Sequence, residues 1–375
     1  MIRTLTIENF RCFEQFELHD LGRVNLLVGG NNSGKTTILE AVELLTADGD
    51  VSALARIQLR RSEELEDDRD IRTSRKRFLD VCRLFNGHSA ELGQSFSVTA
   101  VDKIGRKHAV TAEVLEVEGR SDATDGLFSE LDEPLDWNPY RALGLNWEPG
   151  DGGIMAHLGP NGALPLDSLR YSTSARGERV RPANVRFVSA SSLTPDEAIE
   201  HFGLVQLRPQ EQFVYDSLRI IEPNIQRLGI QIERIKTRGF SGIRGGFSVL
   251  LSTYAEPVPI GSMGEGIWRL LCLALCLARA EKGILLIDEI DTGLHYSVME
   301  KMWKLVTETA KRLNIQVFAT SHSRDCVESL AAVCHEDVTA NSEITIQRIE
   351  RGKSRSVAFS EREIVIAANR GIEVR

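Results

Sequence analysis

Gly29-Gly30-Asn31-Asn32-Ser33-Gly34-Lys35-Thr36 matches G-x-x-x-x-G-K-[ST] at every fixed position. The glycines let backbone N–H groups wrap an anion, and a helix starting at the end of such a loop points its positive dipole end at the same place. The flanks agree with this reading. Residues 24–28 (VNLLV) are a short apolar run of the kind buried in a parallel sheet. In residues 36–45, Ile38, Ala41, Val42 and Leu45 fall on one helical face. Strand, phosphate-cradling loop and helix therefore follow one another in register. In such a loop Lys35 pairs with the β and γ phosphates of a nucleotide and the Thr36 hydroxyl ligates Mg2+.

Three further stretches carry chemistry. Ile284-Leu285-Leu286-Ile287-Asp288-Glu289 is an apolar strand ending in two acids, the Walker B pattern. Asp288 would hold the metal, and Glu289 would orient or deprotonate an attacking water. Thr320-Ser321-His322 follows an apolar run at 315–320, which places His322 at the carboxyl edge of a buried strand, facing the ligand crevice. Its expected role is to sense or stabilise the γ phosphate. Gly261-Ser262-Met263-Gly264-Glu265-Gly266 precedes a helix at 267–280 that is apolar on nearly every side. Glycines and a serine at a helix start make a second anion site. One subunit already has its phosphate cradle, so a second one makes most sense closing on nucleotide held by another subunit; the simpler alternative is a plain helix cap.

The rest of the chain bounds these readings. It has 375 residues, 42% hydrophobic and 26% charged, with a net charge of −9. That is globular composition without a generally basic nucleic-acid coat. No run of about 18 apolar residues is present, and the N-terminus carries no secretory pattern. Cys12, Cys82, Cys272, Cys276, Cys326 and Cys334 show neither CxxC nor regular spacing, which points to a reducing, cytoplasmic setting. Residues 51–85 read as helical. They hold a basic cluster, Arg69, Arg72, Arg75, Lys76 and Arg77, beside the acids of 63–70; the cluster is a solvated face or a phosphate-backbone contact. Residues 95–118 alternate about Gly105 as a hairpin does. Residues 122–167 hold nine Asp and Glu against Arg141, with seven Gly and five Pro, and read as a long loop docked by Trp137, Tyr140 and Trp147. From about 184 the texture is α/β, with a strand at 185–189 and a helix opening at Thr194-Pro195-Asp196-Glu197.

Taken in this order, the motifs resemble those of the ABC-type ATPase heads of the RecF, SMC and OLD-like families. Ile7-Glu8-Asn9-Phe10-Arg11-Cys12-Phe13 is similar to their N-terminal NFR-x-F strand motif, and the GGNNSGKTT stretch to their P-loop. Ser262-Met263-Gly264-Glu265 looks like their signature, although it lacks the two adjacent glycines of the consensus. Asp288-Glu289 followed by Asp291-Thr292-Gly293-Leu294-His295 looks like Walker B with its D-loop, and Ser321-His322-Ser323 like the switch histidine. The resemblance implies a P-loop NTPase of ABC head type, an α/β fold with a parallel sheet core, an antiparallel β lobe and a helical or loop insertion. Its implied divisions are 1–47 with Walker A, 48–183 as insertion lobe, and 184–375 with signature, Walker B and switch His.

By the same resemblance ATP and Mg2+ are the cofactors. Glu289, His322 and Lys35 are catalytic, and Thr36 and Asp288 bind the metal. Arg11, Gly29, Asn31, Asn32, Ser33, Gly34, Lys35, Thr36, Thr37, Ser262, Gly264 and Glu265 bind nucleotide. Neither a coiled-coil arm nor a C-terminal Toprim nuclease domain is visible, so a stand-alone ATPase of the OLD-like branch is expected. It would work as a homodimer or higher oligomer with composite ATP sites, beside a separately encoded nuclease or effector in anti-phage defence, with no membrane attachment. The alternatives are a RecF-like repair ATPase that binds DNA directly, which a salt-dependent affinity would reveal, and a nucleotide-gated scaffold without turnover, which would have no use for Glu289. No second carboxylate constellation of a two-metal nuclease is visible, so cleavage of nucleic acid by this chain is not expected. Gln58, Gln94 and Gln206 stand as candidates for the Q-loop.

Overall fold

A computed structural model describes residues 1–66, 77–117, 140–149, 153–159, 162–166, 184–237, 240–336 and 343–374. They fall into two compact units. One comprises residues 1–20, 36–183 and 352–356, the other residues 21–35, 184–351 and 357–375. The helix Lys35–Leu45 begins at the last residue of a segment of the second unit and continues into the first.

The second unit is built on a six-stranded sheet in the order Val185–Val188, Ile284–Ile287, Gln316–Thr320, Val24–Val28, Ile344–Arg348, Val357–Ser360. The first five strands run parallel and the last is antiparallel. Val24–Val28, Ile284–Ile287 and Gln316–Thr320 are buried at every position, which is why they read as unbroken apolar runs and not as alternating ones. The strands at 24–28 and 284–287 thus share one sheet, as the motifs require. Because the strands are parallel, the P-loop, Asp288-Glu289 and Ser321-His322 all leave from the same, carboxyl edge.

Two helices of this unit form for reasons legible in the residues. Thr194 caps Pro195–Val205 in a capping box with Glu197, and proline takes the first turn. Glu265–Arg279 is buried along most of its length from Ile267 to Ala278. Among the residues filling this core are Trp303, Phe202, Leu271 and Leu275.

One polar side chain lies inside the sheet. Asn25 is fully buried, accepts from Gly22 N and Thr345 Oγ1, and donates to Gly22 O and Val317 O. Its four bonds clamp the strand that feeds the P-loop. Asn25→Ala leaves these groups unpaired in the core and is expected to cost about 1–3 kcal/mol, read as a lower urea midpoint at unchanged slope.

The first unit carries a six-stranded antiparallel sheet in the order Phe13–Leu18, Ile2–Phe10, Ser95–Asp102, Lys107–Val117, Tyr140–Glu148, Gly153–His157. The hairpin expected at 95–118 is present and turns at Gly105, φ +83°. Phe96 of this hairpin meets Phe10 in a tilted contact and Phe85 edge-on, at 5.0 and 5.2 Å between ring centroids.

Two expectations are corrected here. Residues 51–85 are not one helix. The helix Ser52–Arg60 ends where Ser62 turns into the left-handed region, φ +55°. Glu64–Glu66 then pairs with Arg77–Asp80, which also pairs with Ala163–Pro165. The dense charges mimic helical pairing, but Arg77 bonds Glu64 across strands. The segment 122–167 is not one long loop either. Tyr140–Glu148 and Gly153–His157 extend the sheet, and Trp147 is buried with its Nε1 donating to Leu44 O at 3.1 Å. Their strand partners lie upstream, beyond the reach of a local reading of Gly, Pro and acid content. Arg69, Arg72, Arg75, Lys76 and Trp137 lie outside the described residues.

Candidate active site

The P-loop is shaped by its backbone before any side chain acts. Gly29 has φ +144°, and a Cβ there would stand 2.2 Å from Ile349 O, so no other residue fits the approach to the neighbouring strand end. Asn32 and Gly34 follow in positive φ, at +57° and +98°, the alternation that turns successive N–H groups into an anion cradle. Asn31 and Asn32 are exposed, whereas Ser33 is buried and its Oγ has no hydrogen-bond partner among the described residues. A buried hydroxyl left unpaired inside a phosphate loop fits a site shaped for an anionic ligand.

Lys35 closes the loop. Its Nζ donates to Gly29 O and Gly30 O, each at 2.8 Å. Partial burial pulls its pKa below the ordinary lysine value, and the charges of Asp288 and Glu289 oppose that pull. The lysine and the two acids of the next motif are therefore close enough to feel one another. Thr36 follows directly on the helix.

Asp288 and Glu289 leave the strand end tied to the neighbouring strand through one residue. Thr320 Oγ1 donates to Asp288 Oδ1 at 2.7 Å and accepts from Glu289 N at 2.8 Å, while Thr320 O takes Ile290 N at 3.0 Å. Glu289 itself adopts φ +48°, a strained choice for a residue with a side chain, and such strain clusters at working sites. Its Oε2 accepts from Thr292 Oγ1 at 3.1 Å. Asp291 is half-buried, and its Oδ1 has no hydrogen-bond partner among the described residues. His322 is exposed two residues beyond Thr320.

Ser262 lies exposed in the 3-10 turn Ile260–Met263. It does not cap the helix that follows. Gly264, φ +96°, is the N-cap, no side chain caps it, and Glu265 is the first helical residue. The bland role of a capping serine is thereby removed. The helix start lies against the loop after Walker B, since a Cβ on Gly266 would stand 2.9 Å from Gly293 O.

The second unit thus brings together Gly29–Lys35, Asp288 and Glu289, with His322 leaving the same strand edge. Ser262, Gly264 and Glu265 form a separate exposed segment. Arg11 and Thr37 belong to the first unit and are engaged there. Arg11 is 6% exposed, pairs through both terminal nitrogens with Glu63 at 2.7 and 3.0 Å, and has its Nε 2.8 Å from Glu40. Thr37 is buried, with its Oγ1 within 3.7 Å of Cys12 Sγ and 3.4 Å of the Arg61 guanidinium. Glu40 is buried among Arg11 and Arg61, and burial raises its pKa against their pull. Gln58 donates to Asp80 O and Gln94 accepts from Glu91 N, so both are committed within this unit.

Sequence reading missed the roles of Thr320, Thr292 and Arg269. Thr320 stood inside a quoted motif without a role. Arg269 had a signal, because it is the one charge within the apolar run 267–278.

Residues 1–103 match the family described as "AAA ATPase domain", and residues 170–325 the family described as "AAA domain, putative AbiEii toxin, Type IV TA system". The chain is 21% identical over 355 residues to an ATP/GTP phosphatase of Helicobacter pylori, covering 90% of this chain and 89% of that one. Shorter stretches are closer. One of 48 residues is 46% identical to an OLD nuclease of Thermus scotoductus, covering 13% of this chain and 9% of that protein. Another of 44 residues is 52% identical to the DNA replication and repair protein RecF of Nitrosococcus oceani, covering 12% of each. Among solved structures, an Smc head domain derived from Pyrococcus furiosus aligns over 99% of both chains at 13% identity, with a TM-score of 0.45. With the P-loop, the strand-end acids and the parallel sheet that joins them, these matches support an ABC-type ATPase similar to the RecF and OLD proteins.

Proposed function

We propose that this ATPase binds ATP with Mg2+ in the Gly29–Thr36 loop, hydrolyses it through Glu289, and uses the nucleotide to open and close a dimer that controls a separate nuclease or effector in anti-phage defence. One observation carries the hydrolytic part. Lys35, Asp288 and Glu289 leave the carboxyl ends of strands in one parallel sheet, and both acids act on the Lys35 ammonium.

The roles follow from placement. The loop N–H groups and Lys35 would hold the β and γ phosphates. Asp288 and the Thr36 hydroxyl supply hard oxygen donors suited to Mg2+, which neutralises phosphate charge when bound. Glu289, anchored through its N–H and bonded by Thr292, would orient a water and take its proton. His322 would sense the γ phosphate. No helix among the described residues is long and apolar enough to cross a membrane.

The exposed, uncapped segment Ser262–Glu265 supports the dimer part. If it docks on nucleotide held by a second copy, Lys35→Ala and Ser262→Arg each inactivate a homodimer by opposite halves of one composite site. Mixing the two after subunit exchange makes about half the dimers hybrid, each with one intact site. About a quarter of wild-type phosphate release should return if sites act independently, and less if they are coupled. A fully active Ser262→Arg homodimer would end the composite-site reading.

A further inference from the structure

The signature helix Glu265–Arg279 buries a cation in its first turns. Arg269 is 1% exposed. Its partners are not carboxylates. One terminal nitrogen donates to Ser189 O at 2.5 Å and Ser192 Oγ at 3.2 Å, and the other donates to both Asp288 O and Glu289 O at 2.7 Å. The Nε has no partner among the described residues. Burial lowers its pKa, and among the neighbouring charges Asp288, Asp291 and Glu289 oppose that shift. A guanidinium taken this far from water to meet main-chain carbonyls is costly unless those carbonyls need holding.

They do need holding. Glu289 sits at φ +48°, in a region that side-chain-bearing residues rarely adopt. Its backbone is gripped on both sides. Thr320 holds the donors, accepting from Glu289 N and Ile290 N. Arg269 holds the acceptors, Asp288 O and Glu289 O, on a single nitrogen. Two peptide planes are thereby oriented, and with them the direction in which the Glu289 side chain leaves the backbone. The arginine is also one helical turn from Glu265, and the start of this helix abuts Gly293 of the loop following Glu289. A small shift of the Ser262–Glu265 segment therefore reaches Arg269 through a rigid turn of helix.

We infer that Arg269 is a positioning residue that links the signature segment to the orientation of Glu289, so that the carboxylate is aligned for attack while that segment is docked. The inference rests on the ATPase reading above. A merely structural arginine would stabilise the fold and leave the aligned carboxylate alone.

The test uses Arg269→Met, which keeps an unbranched apolar stem of similar volume without the fork, and Arg269→Lys, whose ammonium can still meet the two carbonyls of Asp288 and Glu289. Steady-state and single-turnover phosphate release, ATP affinity and thermal midpoint are measured. Arg269→Met is expected to lower kcat at least about tenfold, toward the ~10²-fold loss of a group misplaced by 1 Å, with KM for ATP within about threefold of wild type. Arg269→Lys should recover part of that loss. In a Glu289→Gln background, Arg269→Met should lower the residual single-turnover rate by less than about threefold, because the group it positions is already gone.

Wild-type kcat in Arg269→Met, or the same fold loss with and without Glu289, would overturn the inference. So would losses of kcat and ATP affinity in proportion to the melting shift. Should Arg269→Met not fold, Arg269→Lys is read by the same criteria. A wild type that releases no phosphate overturns the ATPase reading and this inference with it, whereas active wild type with equally active Arg269→Met overturns this inference alone.

Discussion

Glu289→Gln is expected to bind ATP as the wild type does and to hydrolyse it at least about 10²-fold more slowly, the low end for loss of a general base. The geometry separates the two effects. The Glu289 backbone is fixed by Thr320 and by Arg269, and neither bond involves the carboxylate. Among the described residues its side chain receives one bond, from Thr292, and a glutamine oxygen can accept the same bond. The substitution therefore removes the basic oxygen and little else. Equilibrium binding of labelled ATP beside single-turnover phosphate release checks it. Undiminished turnover would remove Glu289 from the chemistry.

The second large effect is on binding. Lys35→Ala removes the half-buried ammonium that bridges Gly29 O and Gly30 O and that would pair with the phosphates. Truncating one member of a desolvated charge pair costs about 2–5 kcal/mol, which weakens ATP binding by about 30-fold to several thousand-fold. The fold should survive, since the carbonyl released at Gly30 belongs to an exposed residue and can turn to water. Titration calorimetry with ATP and Mg2+ reads the affinity directly. Equal affinity in Lys35→Ala and wild type would refute the P-loop assignment, and a lowered melting midpoint would mark the loss as unfolding.

How far the residues could be read depended on the range of the forces shaping each part. The P-loop was legible because its constraints are local. Gly29 and Gly34 are glycines for reasons of φ and close approach, and the helix that follows starts where its apolar period starts. The strands at 24–28, 284–287 and 316–320 were legible for a related reason. Burial on both faces leaves an unbroken apolar run, and such a run ending in Asp-Glu or Thr-Ser-His marks the carboxyl edge of a parallel sheet. The helix start at Thr194-Pro195-Asp196-Glu197 lies within four residues and was read directly.

What the tertiary structure alone decided lies in bonds between distant residues. Thr320 reaches Asp288 and Glu289 across 32 and 31 positions, and Arg269 reaches Ser189 across 80. No periodicity encodes a partner that far away. Arg269 showed only as an interruption in an apolar helix. Arg11 and Thr37 matched motifs, yet packing drew Arg11 to Glu63 and Glu40 and buried Thr37 near Cys12 and Arg61. Tyr140–Glu148 is a strand because Lys107–Val117 pairs with it and Leu44 O receives Trp147, even though the surrounding Gly, Pro and acids favour a loop. The residues themselves placed the phosphate-loop and strand-end acid motifs. Which side chains hold the backbone of those motifs was decided by the fold, because a hydrogen bond specifies distance in space and is indifferent to distance along the chain.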